Sequence, residues 1–139
     1  MLNRADIEAR VPHAGAMCLL DAVTGWDASH IACEALAPSA GHPLMRDGFG
    51  VPAVAAIEYA AQATAVHGAL LATEGVRQAG LLAKLSDIEL LPGPVTGALV
   101  VRADLLGRSA GGCMYGFTVH DDGGCRARGR LMVALHDGH

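Results

Sequence analysis

The order of elements predicts an α+β protein, an antiparallel sheet of about six strands wrapped around one long central helix. Three observations carry that prediction. An Ala-rich apolar run from Val51 to Ala72 has no Pro after Pro52 and no Gly before Gly68. Two strand-like stretches precede it and four follow. No strand–helix–strand repeat occurs, which disfavours a parallel, doubly wound sheet.

The helix comes first because the rest is arranged about it. Pro52 fits a first helical turn, where its missing N–H costs nothing. Ala, the best helix former, dominates beyond it. The run predicts one helix of roughly 20 residues, about 30 Å long. It is apolar almost all round, the mark of a buried helix. Glu58, Gln62 and His67 interrupt it, and a carboxylate at a bilayer centre costs at least a few kcal/mol. A membrane span is therefore not expected.

The strands follow in order. Asp6 to Arg10 predicts a short surface helix. Met17 to Thr24 predicts a strand, and His30 to Leu36 a second, with Ile31, Cys33 and Ala35 alternating. After the helix, Leu81 to Leu91 predicts a strand that Pro92-Gly93-Pro94 stops. Ala98 to Leu106, Cys113 to His120 and Arg126 to His136 complete the set. Asp121-Asp122-Gly123-Gly124 is a hairpin turn signal. The chain of 139 residues is read as one domain, 1–139, with no linker or repeat.

Composition excludes several classes. The hydrophobic fraction is 52% and the mean hydropathy +0.34, high for so short a chain. That predicts apolar surface buried between subunits. The formal charge is −4, and no basic stripe with interleaved aromatics occurs, so nucleic acid is not an expected partner. The N-terminal residues are mixed and charged, without the apolar core of a secretory signal. A cytoplasmic location is expected, with Cys18, Cys33, Cys113 and Cys125 as reduced thiols. A Cys nucleophile with a His partner stands as a minor alternative.

His42 and Glu58 are the candidate catalytic pair, on either side of a Gly-rich turn. Pro43 biases His42 toward an extended loop conformation. A neutral imidazole can take a proton near pH 7. A carboxylic acid shielded in an apolar helix can be held protonated and give one up. N–H groups at Ala53 and Val54 can bind a carbonyl oxygen as charge develops on it. Pro52, Ala53, Val54 and Gln62 are the candidate substrate-binding positions. Base, acid and oxyanion donors together suit proton removal beside a carbonyl with loss of a β-hydroxyl.

On spacing alone the bland alternatives stand. A lone His beside a proline, as His42 is, is more often a structural loop residue, and Glu58 at a solvent opening would only cap or solubilise the helix. His13 competes for the catalytic role. His67 is expected to be a satisfied core or interface histidine. His136-x-x-His139 supplies two ligands at most, so no metal is expected. The Gly-rich turn lacks the lysine and spacing of a phosphate loop.

Gly41-His42-Pro43, with Pro52-Ala53-Val54-Ala55-Ala56-Ile57-Glu58-Tyr59-Ala60-Ala61-Gln62-Ala63, resembles the active-site segment of 3-hydroxyacyl-acyl-carrier-protein dehydratases of hot-dog fold. Their pattern is G-H-F-P followed by P-G-V-x-x-x-E-A-x-A-Q. Val11-Pro12-His13 with Leu19-Leu20-Asp21-Ala22-Val23 resembles their N-terminal P-H-R and L-L-V-D-R-V. Leu82 to Asp87 with Pro94-Val95 resembles the strand after their helix. The chain is most similar to the branch found with aryl polyene pigment biosynthesis, where G-H-P and I-E-Y-A-A-Q-A also occur.

The resemblance implies that His42 removes the C2 proton and that Glu58, from the other subunit of a dimer, protonates the departing hydroxyl. It implies an acyl carrier protein thioester as substrate, with Lys84 or the arginines of the last strand meeting the acidic carrier. It implies a homodimer, or a heterodimer with another hot-dog subunit. Acid–base chemistry of this kind calls for no cofactor. Two departures bear on chain-length preference rather than reaction type. The His42-to-Pro52 interval is two residues longer than the family's, and Ala53 stands where the family has Gly. A hot-dog acyl thioesterase using Glu58 to activate water, and a non-catalytic hot-dog subunit supporting an active partner, are the alternatives.

Overall fold

The computed structural model describes residues 2–10, 18–37, 51–71, 78–109 and 111–137. Strand β1 (Leu2–Asn3) leads into helix α1 (Arg4–Glu8). The helix starts two residues earlier than expected because Asn3 caps it. The Asn3 side chain accepts the Asp6 N–H, and the Asp6 side chain accepts the Asn3 N–H, a reciprocal capping box.

Strands β2 (Ala22–Trp26) and β3 (His30–Leu36) form a hairpin. Strand β2 is shorter than the predicted Met17–Thr24. Cys18, Leu19 and Leu20 are all buried, which no alternating strand allows. Their backbone groups bond elsewhere. The Leu19 N–H donates to the Gln62 side chain, and Arg4 donates to the Cys18 carbonyl.

The helix follows a two-residue strand β4 (Val51–Pro52). Pro52 is extended, at φ −66° and ψ 151°, and pairs with Pro94. It therefore stands just before the helix rather than inside its first turn. A 3₁₀ turn, Ala53–Ala55, opens into helix α2 (Ala56–Leu71). The remaining strands are β5 (Gln78–Leu90), β6 (Pro94–Val95), β7 (Ala98–Ser109), β8 (Gly112–Asp121) and β9 (Gly124–Asp137). Strand β6 is too short to leave a periodic signal, and β4 pairs with it.

The main sheet has seven antiparallel strands in the order β1-β2-β3-β7-β8-β9-β5. Register puts apolar residues in rows across it. Cys33 faces Val101, Val101 faces Val119, and Val119 faces Ala127, and all four are buried. Ala56, Tyr59, Ala60, Ala63 and Val66 of α2 complete the same core. Small Ala side chains let the sheet approach the helix closely, and burying that surface is worth roughly 25 cal/mol per Å². The predicted α+β architecture is the observed one.

The second of two register shifts along β5 shapes its C-terminal half. Asp87 has φ +53°, and register shifts between Ser86 and Glu89. The bulge tucks Ile88 against Gly129. A Cβ on Gly129 would lie 2.5 Å from Ile88 Cδ1 and 3.1 Å from its Cα, so glycine is required there.

Candidate functional site

Among the described residues, one side of helix α2 is left exposed. Val54, Glu58 and Gly68 are exposed, and Ile57, Ala61 and Ala65 are half-buried. At 3.6 residues per turn these six positions form a single stripe. The sheet covers the opposite side. The acid expected to be shielded is thus open to solvent in the single chain. Its neighbours on the stripe are apolar, and Val54 is 55% exposed. Among the described residues, nothing beyond its chain neighbours and the helix's own backbone lies within 4 Å of where a Cβ on Gly68 would stand.

Glu58 lies in the first turn of α2, just past the 3₁₀ turn. Pro52, at the N-terminal boundary, provides no side-chain cap. The first N–H groups of a helix lack intrahelical partners, and Ala53 and Val54 hold those positions in the turn that precedes α2. Ala53 is buried and Pro52 half-buried. His42, Gly41 and Pro43 lie outside the described residues, as does His13.

The other helix residues are fastened. Gln62 is 1% exposed, and its Oε1 accepts the Leu19 N–H at 2.9 Å. Tyr59 is fully buried, and its hydroxyl donates to the Leu36 carbonyl at 3.3 Å. Burial pushes the Tyr59 phenol up to about 12, so it stays a proton donor. The Leu36 N–H donates to Asp21 Oδ2 at 2.9 Å, and Asp21 Oδ1 accepts from Arg4 at 3.1 Å. No sequence signal marks these contacts, because bonds from side chains to distant backbone leave no spacing pattern.

His67 is the satisfied core histidine expected. It is fully buried, with Nδ1 2.7 Å from the Tyr115 hydroxyl and Nε2 2.7 Å from the Asp27 carbonyl. Since that carbonyl can only accept, Nε2 carries the proton and Nδ1 accepts from Tyr115. Burial pushes the Cys33 thiol up to about 12 and also raises Cys18, which leaves both poor nucleophiles.

The arginines of β9 are engaged within the chain. Arg128 donates to Glu89 at 2.8 Å, Arg130 lies 3.9 Å from Asp87, and Arg126 bonds Asp121 and the Pro92 carbonyl. Lys84 is exposed. Two open concavities lie on the sheet face away from α2, and Glu58 lines neither. Among the described residues, no three His, Cys, Asp or Glu side chains cluster as a metal site would require. Among the same residues, no helix is long and apolar enough to cross a membrane.

An antiparallel sheet wrapped around one central helix is the hot-dog fold. Within that class the chain belongs to the ApeP-like family of dehydratases, whose ApeP dehydratase model matches residues 5–137. Solved structures agree on the fold. The dehydratase heterocomplex ApeI:P from Xenorhabdus doucetiae matches at TM-score 0.80 and 21% identity, over 95% of this chain and 91% of that one. A thioesterase from Haemophilus influenzae matches at TM-score 0.72 and 12% identity, over 99% and 92%. A thioesterase-like, phenylacetic acid degradation-related protein from Ralstonia eutropha matches at TM-score 0.69 and 18% identity, over 94% and 96%. No curated protein sequence matches significantly.

Proposed function

We propose that this chain dehydrates a 3-hydroxyacyl thioester carried on an acyl carrier protein, giving the trans-2-enoyl thioester, in fatty acid or aryl polyene type synthesis in the cytoplasm. His42 removes the C2 proton. Glu58 of a neighbouring subunit gives a proton to the departing hydroxyl. The Ala53 and Val54 N–H groups receive the thioester oxygen as negative charge builds on it. One observation carries the proposal: in a member of a dehydratase family, Glu58 stands on an apolar helix stripe that the single chain leaves open. A subunit covering that stripe would shield the acid from water.

The neighbour is a second copy or another hot-dog subunit. Likeness to a structure described as a heterocomplex supports a second possibility, that this chain supports an active partner without turning over itself. Likeness in fold to thioesterases keeps hydrolysis as the third.

The test incubates the chain, alone and with any co-purifying hot-dog chain, with carrier-linked 3-hydroxyacyl substrates. A conjugated enoyl thioester is the expected product, lost in Glu58→Gln and in His42→Ala. Release of free carrier thiol would assign a thioesterase instead. Turnover only with the partner, unaffected by either substitution here, would assign a supporting subunit.

A further inference from the structure

Leu36 ends β3, six positions before His42 in the sequence. Its peptide groups are held from both sides. Its N–H goes to Asp21 Oδ2 at 2.9 Å, and its carbonyl accepts from the Tyr59 hydroxyl. The next residue is held too, since the Ala37 N–H donates to the Gly97 carbonyl at 2.8 Å. Tyr59 directly follows Glu58 in sequence. One phenol therefore joins the helix turn that carries the acid to the end of β3.

We infer that Tyr59 is a positioning residue for the reaction, its hydroxyl fixing the Glu58 turn of α2 against the end of β3 through the Leu36 carbonyl. The inference rests on the proposed dehydration by His42 and Glu58. On that proposal loss of the hydroxyl loosens the turn that presents Glu58. Asp21 assists at the preceding peptide group, through the Leu36 N–H. The Tyr59 ring is fully buried, so it reaches the reaction through the backbone and not by touching substrate.

The test compares two buried phenols. Tyr59→Phe removes only the hydroxyl at the Glu58 end. Tyr115→Phe removes the hydroxyl that bonds His67, nearer the C-terminal end of α2. Both variants are assayed for kcat, KM and thermal unfolding, in whichever assembly turns over. Displacement of a reacting group by a fraction of an ångström predicts that Tyr59→Phe lowers kcat roughly tenfold with KM nearly unchanged. Tyr115→Phe is expected to lower the unfolding temperature and leave kcat as it was. An unchanged kcat in Tyr59→Phe overturns the inference. Equal losses of kcat in both variants also overturn it, since they would mark general loosening of the core. His42→Ala and Glu58→Gln, run alongside, separate the two failures. If they retain turnover, the proposed function itself has failed and this inference falls with it.

Discussion

The Gln62 carboxamide oxygen accepts the Leu19 backbone N–H at 2.9 Å, across 43 positions of sequence. Both residues are buried, so the bond decides how the segment before β2 lies on the helix. Replacing Gln62 by Leu leaves that N–H without a partner in an apolar setting. The expected cost is about 1–3 kcal/mol, read as a lower urea midpoint at unchanged slope.

His67 ties α2 to two separate elements, the β8 hydroxyl of Tyr115 and the carbonyl of Asp27 in the β2–β3 turn. His67→Phe keeps an aromatic ring but loses both bonds, and should cost roughly 2–4 kcal/mol. A double-mutant cycle with Tyr115→Phe should show non-additivity, because the two variants remove one shared bond. Strict additivity would show that the pair does not interact in solution.

The Gly129–Ile88 approach predicts an asymmetric rescue. Gly129→Ala places a methyl 2.5 Å from Ile88 Cδ1 but also 3.2 Å from the Asp87 carbonyl oxygen. Overpacking of this kind costs about 1–3 kcal/mol. Adding Ile88→Ala frees only the side-chain clash, so equilibrium unfolding should show partial recovery. Full recovery would mean that the backbone at the bulge gives way freely.

Asp121 sets an acid limit. Burial pushes its pKa up, but bonds from Arg126 and from the Thr96 and Gly123 N–H groups outweigh this and leave it below the ordinary 3.8. A depressed folded-state pKa means stability that is present above pH 3.8 and lost as pH falls through the folded value. The stability of Asp121→Asn should fall less on acidification below pH 3.8 than that of the native chain. Parallel acid profiles would remove Asp121 from the account.

Much of this architecture was legible in the residues. The Ala-rich run, the alternation in His30–Leu36 and the Pro92-Gly93-Pro94 stop are local signals, and the helix and strands stand where those signals put them. What local signals miss is set by distant partners. The β2 start moves to Ala22 because Cys18–Leu20 bond to Arg4 and Gln62. Pro52 is extended because it pairs with Pro94, 42 positions away. Glu58 was expected to be shielded because the helix is apolar all round. Hydrophobicity cannot say which side a protein's own sheet covers and which a neighbour would. The same limit applies to Tyr59, whose bond to a backbone carbonyl has no sequence signature.

The most direct test of the central claim mixes two inactive chains. On the proposed homodimer, Glu58 of one protomer serves His42 of the other. His42→Ala and Glu58→Gln should each be inactive when purified alone. Co-expressed, they form mixed dimers in which one site carries both substitutions and the other carries neither. Random pairing of a two-fold dimer predicts recovery of roughly a quarter of native enoyl thioester formation. A native chain that is active while the mixture stays as inactive as its components would contradict a site shared between protomers.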